Sequence, residues 1–162
     1  MKIAITTDHA GFETLKELKT FLESLGHECI EFGPKEFNPE DDYPEFMFPA
    51  ARAVAEGHCD VGIIMGGSGQ GEAMAANRVK GVRAALFYGP IIAKGAIDAS
   101  GATSSDPYEI VKLSREHNNA NVLSLSARFL TMDEMKKACE IWLTTPFSGV
   151  ERHLRRIAKL DA

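Results

Sequence analysis

One stretch constrains this chain more than any other: Val61-Gly62-Ile63-Ile64-Met65, then Gly66-Gly67-Ser68-Gly69-Gln70-Gly71-Glu72. Residues 61–65 form a short, almost wholly apolar run, the pattern of a strand covered on both faces, and Ala73–Asn77 reads as the start of a helix. Four glycines lie between the two. They let the backbone turn sharply and approach a ligand closely, and they leave N–H groups pointing outward at the positive end of a helix. Such a loop suits negative charge. It also carries one hydroxyl, Ser68, and one carboxylate, Glu72. A carboxylate there either complements the dipole of the first helical turn or handles protons.

The rest of the chain repeats the strand-then-helix plan. Lys2–Thr7 is a strand, followed by the turn Asp8-His9-Ala10-Gly11 and a helix whose stripe is Phe12, Leu15, Leu18, Phe21, Leu22 and Leu25, stopped at Gly26. His27–Phe32 is a second strand, residues 33–45 a loop rich in proline and acid, and Phe46–Glu56 a helix. After the glycine loop its helix runs to about Val79, Val82–Phe87 is strand four, and Asp106, Pro107 and Glu109 open a helix reaching about Glu116. Asn121–Leu125 is strand five, Thr131–Glu134 a capping box before a helix with Met135, Ala138 and Trp142, and Glu151–Lys159 a basic tail. Residues 88–105 differ in composition, being rich in Gly, Ala and Ser with Ile91 and Ile92 as anchors; a short helix plus loop is expected there.

Five strands linked by crossovers of helix length imply a single α/β domain over residues 1–162: a three-layer αβα sandwich with a five-stranded parallel sheet in the Rossmann/flavodoxin-like order 2-1-3-4-5. Ligands bind beyond the carboxyl ends of such strands where the order reverses, here between strands one and three. That brings Asp8 and His9 beside Gly66–Glu72. Net charge of −5 excludes a general nucleic-acid binder. Three cysteines in no CxxC pair exclude a disulfide framework or zinc site and fit a reducing cytoplasm. No apolar run approaches membrane-spanning length, and the immediate start of a strand pattern leaves no room for a signal peptide.

The glycine loop is not a P-loop, because no Gly-Lys-Ser/Thr closes it, and Gly67, Gly69 and Gly71 have the wrong spacing for a dinucleotide fingerprint. What remains is proton transfer beside an anion. Glu72 could abstract an acidic C–H proton if burial raises its pKa, with Ser68 and loop amides stabilising the oxyanion. Arg152 and Arg156 lie one helical turn apart and could grip one phosphate, although basic residues at a terminal helix are more often solvated surface. By themselves His117 and Tyr43 read as structural or exposed.

Six motifs in order, Asp8-His9-Ala-Gly-Phe12, Asp42-Tyr43-Pro44, Gly67-Ser68-Gly69-Gln-Gly71-Glu72 with Ala75-Ala76-Asn77, Gly81-Val-Arg83-Ala84, Ser114-Arg-Glu-His117-Asn118-Asn-Ala-Asn121 and Arg152-His153-Leu-Arg-Arg156, resemble the ribose-5-phosphate isomerase type B family, which also includes galactose-6-phosphate isomerase subunits. The resemblance implies a cofactor-free, metal-free aldose–ketose isomerase working through an enediolate on a phosphorylated sugar, with its site shared between two subunits of a homodimer, and leaves open whether dimers pair into a tetramer. One branch of that family uses a cysteine at the position of Gly66 as base and the other a glutamate at the position of Glu72; this chain is similar to the glutamate branch. The resemblance further implies His117 as ring-opening acid or base with Asp8 assisting, Ser68 and the amides of Gly67, Gly69 and Gly71 around the enediolate, Asn118 on the substrate, Tyr43 lining the sugar pocket, and His9, Arg128, Arg152 and Arg156 on the phosphate. It leaves two alternatives, an isomerase of another sugar phosphate, such as a six-carbon one, and a non-catalytic flavodoxin-like module binding a phosphoryl ligand. The chain departs from the family at residues 88–105, an insert expected to border the active site.

Overall fold

The computed structural model describes residues 1–161. Its elements are β1 (Lys2–Thr7), α1 (Phe12–Ser24), β2 (Glu28–Glu31), α2 (Pro44–Ala55), β3 (Val61–Gly66), α3 (Gln70–Ala76), β4 (Ala84–Phe87), α4 (Glu109–Asn118), β5 (Val122–Ser126), α5 (Met132–Thr144) and α6 (Glu151–Ile157). The five strands form one parallel sheet, as the crossover lengths require. Helices α1, α4 and α5 pack together on one side, while α2 and α3 pack together on the other. Each side buries its own apolar cluster, one around Ile3, Ile5, Leu18, Leu22, Ile63 and Trp142, the other around Ala4, Met47, Ala51, Ile64, Ala76 and Val122.

The strand order is β2-β1-β3-β5-β4, so the last two strands are exchanged relative to the expected 2-1-3-4-5. Burial explains the exchange. Every residue of β5 is buried, whereas in β4 only Phe87 is. The strand buried along its whole length, its two serines satisfied by the glycine loop, takes the inner place, and the shorter, partly exposed one takes the edge. Asn121 fixes the pair at its start: its side chain accepts from the Arg83 amide at 2.7 Å and donates to the Gly81 carbonyl at 2.8 Å.

Most element ends follow local chemistry. Gly26 adopts φ +84° after α1, and Thr131 with Glu134 forms the complete capping box of α5. Helix α2 starts at Pro44, two residues earlier than expected, because proline suits a first turn. Helix α3 ends at Ala76 rather than near Val79. Asp106 caps a turn before α4, accepting from the Tyr108 amide at 2.8 Å, and α4 continues past Glu116 to Asn118, where Asn119 turns left-handed at φ +46°. Residues 88–105 contain no helix, contrary to expectation. They are tied down where the Ile91 amide donates to the Pro107 carbonyl at 2.8 Å, and Ile91, Ile92 and Ile97 line a cleft with Ile110 and Leu113 of α4. Among the described residues no helix is long and apolar enough to cross a membrane.

Candidate active site

At the carboxyl edge of the sheet, β1 ends in Asp8-His9 and its neighbour β3 ends in the glycine loop. Glu72, in the first turn of α3, folds back so that its carboxylate occupies the space beside Gly66; a side chain at 66 would overlap it. Only 4 % of Glu72 is exposed. Burial pushes its pKa up and the nearby Asp8 carboxylate pushes the same way, while backbone amides at Glu72 and Gly69, and His9, work against the rise. A carboxylate whose pKa is raised in this way is a better proton acceptor than an ordinary glutamate.

Around it, Gly69 adopts φ +76° with its Cα so close to the Leu125 carbonyl that a Cβ would sit 2.9 Å from that oxygen. Gly71 meets the Tyr43 ring, where a Cβ would come within 2.8 Å. Ser68 accepts from the Gln70 amide at 3.3 Å, and its side chain stands on the partly exposed loop. Two serines of β5 hold the loop from below: Ser124 donates to the Gly69 carbonyl at 2.7 Å and Ser126 to the Gly67 carbonyl at 3.0 Å. Arg128 follows β5, donates its amide to the Gly67 carbonyl at 3.1 Å, and lays its guanidinium over Gly67.

His9 is held by Asp41, whose Oδ1 lies 2.6 Å from Nδ1 and also accepts from the His9 amide at 3.3 Å. That hydrogen bond raises the His9 pKa, against desolvation and with help from Asp8; Arg128 opposes it. The hydrogen bond to Asp41 favours the protonated form of the ring, which beside Arg128 suits a phosphate. Asp8 accepts from the Ala10 amide at 2.9 Å and is buried. One ligand atom each from Asp8, His9 and Asp41 lie within 4.8 Å of one another, a grouping that can hold a metal ion. The hydrogen bonds just described already account for their closeness.

The other predicted site residues stand at the opposite edge. Helix α4 runs from the end of β4 back to the start of β5, so its last residues, His117 and Asn118, lie where the strands begin. Arg83, just before β4, donates through Nε to the Asn118 carbonyl at 3.1 Å. With about 3.3 Å per strand residue, some 15 Å of sheet separates this edge from Glu72. Helix α6 packs on α4 and brings Arg152, His153 and Arg156 to His117. The His117 and His153 rings meet at a tilt of 47°, with centroids 4.3 Å apart. Two separate groups of predicted site residues result. One chain brings together Asp8, His9, Tyr43, Gly67, Ser68, Gly69, Gly71, Glu72 and Arg128, and it keeps His117, Asn118, Arg152 and Arg156 apart from them.

Sequence reasoning missed three participants. Asp41 sits in the acidic run of residues 40–42 and looked like loop solvation; the serines of β5 had no partner while that strand was assigned to the edge; His153 was hidden among arginines. The three cysteines are unpaired, and burial pushes Cys139 up to about 12 and Cys29 up to about 11, so neither is a ready nucleophile. An apolar groove of about 1020 Å³ borders the glycine loop, lined by Tyr43, Phe48, Met74, Leu86 and Tyr88.

A family model described as Ribose/Galactose Isomerase matches residues 3–103 and 98–160, the two segments meeting inside the 88–105 stretch. The chain is 36 % identical over 157 residues to a ribose-5-phosphate isomerase B of Mycolicibacterium paratuberculosis, covering 97 % of this chain and 87 % of that one. It is 35 % identical over 161 residues to a putative sugar phosphate isomerase of Bacillus subtilis, covering 99 % and 95 %. Among solved structures, ribose-5-phosphate isomerase B of Clostridium thermocellum superposes with a TM-score of 0.84 at 36 % identity, covering 99 % of this chain and 95 % of that one. The Mycoplasma genitalium enzyme, solved with bound ribulose 5-phosphate, superposes at 0.83 with 37 % identity, covering 98 % and 93 %.

Proposed function

The chain belongs to the ribose/galactose isomerase family, and from that premise we propose that it interconverts ribose 5-phosphate and ribulose 5-phosphate through an enediolate. The observation that carries the reading is Glu72: a buried carboxylate of raised pKa in a glycine-rich, hydroxyl-bearing loop, seated where Gly66 leaves it room. Glu72 takes the proton from the carbon beside the carbonyl and returns it to the neighbouring carbon. Ser68 and the amides of Gly67, Gly69 and Gly71 hold the charge that develops on oxygen. Tyr43 lines the sugar, and His9 and Arg128 face the phosphate.

The separated half-sites support a homodimer in which His117, Asn118, Arg152 and Arg156 complete the partner's site, His117 opening the sugar ring with Asp8 assisting. The groove beside the loop, with Met74 66 % exposed in it, offers the apolar surface such a dimer needs. The enzyme acts in the cytoplasm without a cofactor. The test is isomerisation of ribose 5-phosphate with and without a chelator, for the intact chain and Glu72→Gln. Activity that survives the chelator and falls by about 10²–10⁴ in the variant supports the mechanism. Full activity in the variant removes Glu72 from it.

A further inference from the structure

His153 has no part in the chemistry outlined above, yet it is the most completely tied side chain of the half-site around His117. It is 4 % exposed. Its Nδ1 lies 3.1 Å from Ser148 Oγ, and Ser148 in turn donates that hydroxyl to the Glu116 carbonyl at 2.6 Å. The serine's one proton is therefore spent on a carbonyl, which only accepts, so Nδ1 of His153 carries a hydrogen and donates it to Oγ. On the other side, Nε of Arg152 donates to His153 Nε2 at 2.9 Å. An arginine never accepts, so Nε2 is bare. Two independent partners thus require the same species, a neutral imidazole protonated on Nδ1. Its ring face meets His117 at 4.3 Å.

We propose that His153, as a neutral Nδ1–H imidazole, is a positioning residue that sets the Arg152 guanidinium and the His117 ring relative to each other, so that phosphate binding and ring opening share one rigid support. This rests on the roles given above to His117 and Arg152. Engaging Arg152 through Nε leaves the two terminal nitrogens of its fork, which make no hydrogen bond among the described residues, to face a phosphate together. The tilted contact between the two rings, 4.3 Å between centroids, limits the movement of His117. Protonating His153 would set one N–H against another and release Arg152.

The surroundings favour the neutral form. Burial lowers the His153 pKa, and the positive groups facing it, His117 from α4 with Arg152 and Arg156 from α6, lower it further; the Glu116 backbone opposes them. Beyond Arg152 stands Asp98 of the 88–105 segment, whose pKa is lowered chiefly by hydrogen bonds from Ser100 and Ala102 and, least, by the arginine.

Three substitutions separate the contacts. His153→Gln presents an acceptor toward Arg152, His153→Asn presents a donor toward Ser148, and His153→Leu offers neither. The expected result is a KM for ribose 5-phosphate raised on the order of tenfold to a hundredfold in the Asn and Leu variants, with much of that loss recovered in the Gln variant. Below the mildly acidic range in which His153 stays neutral, KM should rise more steeply with falling pH for the wild type than for the Gln variant, which has no imidazole to protonate; titration of the substrate phosphate is common to both and cancels in the ratio. Equal KM values in all four proteins, or equal acid profiles for wild type and His153→Gln, would overturn the proposal. Nitrogen NMR of the unmutated protein provides an independent reading should a variant fail to fold: an Nδ1–H tautomer that stays neutral at mildly acidic pH is expected, and an Nε2–H tautomer or an imidazolium at neutral pH contradicts it. Glu72→Gln run alongside keeps the two readings distinct, since its inactivity with unaffected His153 variants sinks only the positioning role.

Discussion

At the scale of single residues, the account turns on how Glu72 is kept both buried and titratable. Folding removes a carboxylate from water without giving it a cationic partner at contact distance, so its pKa rises. The sign for stability follows: a raised folded pKa means a contribution fully present below the ordinary glutamate value and lost as pH rises through the folded value. Glu72→Gln should therefore melt higher than wild type at neutral pH, by about 1 kcal/mol of stability, while losing activity; calorimetry on both proteins checks this, and equal or lower stability would argue against strain at the base. The catalytic rate per KM should rise with pH on an acid limb set by Glu72, displaced above the ordinary glutamate range. Gly66→Ala puts a methyl group where the Glu72 carboxylate sits, and activity should fall on the order of a hundredfold with the fold intact, as measured by kinetics and circular dichroism. The sequence placed Glu72 in the first helical turn after a glycine-rich loop, but its pattern left open whether the carboxylate complements the helix dipole or handles protons; that it folds back into the space beside Gly66 is visible only in the structure. Asp41 was not legible in the sequence, because nothing in an acidic loop shows which carboxylate turns inward to His9.

Between elements, the placement of β5 decides how the glycine loop is held. As an inner strand beside β3 it lends Ser124 and Ser126 to the carbonyls of Gly69 and Gly67; at the edge, where the order 2-1-3-4-5 would have put it, neither serine reaches. The alternation of strands and helices was plain from periodicity, and it fixed the class of fold. The exchange of the last two strands was not plain, because Val122–Leu125 and Ala84–Phe87 are both short apolar runs and only their burial in the assembled sheet tells them apart. Ser124→Ala removes one of the two donors to the Gly69 carbonyl, the Ala73 amide remaining at 3.0 Å, and should destabilise by about 0.5–1.5 kcal/mol, read as a lower urea midpoint with unchanged slope. The 88–105 segment touches the sheet through few groups, and its Asp98 stands within electrostatic reach of Arg152. Replacing residues 89–104 with a short polar linker should leave the melting temperature within a few degrees, an expectation for irregular surface chain, and alter KM more than kcat; a collapse of the fold would show that the segment is part of the core.

For the whole molecule, the sheet itself is the obstacle. Helix α4 must run against the strands to return from β4 to β5, so His117 and Asn118 emerge at the edge opposite Glu72. The six motifs carry no information about which edge of the sheet each occupies; that follows only once handed crossovers are assembled. Pairing two chains about a twofold axis can bring each edge to the other's, and it does so twice, giving two equal sites. The most direct measurement of this account is subunit complementation: Glu72→Gln and His117→Ala, each prepared as an inactive homodimer, are unfolded together, refolded as a mixture and assayed on ribose 5-phosphate. Shared sites predict that the mixture regains about a quarter of wild-type activity, since half of the randomly paired dimers are mixed and each has one intact site. A mixture as inactive as its parents, with mixed dimers demonstrated by mass spectrometry, would contradict the shared site.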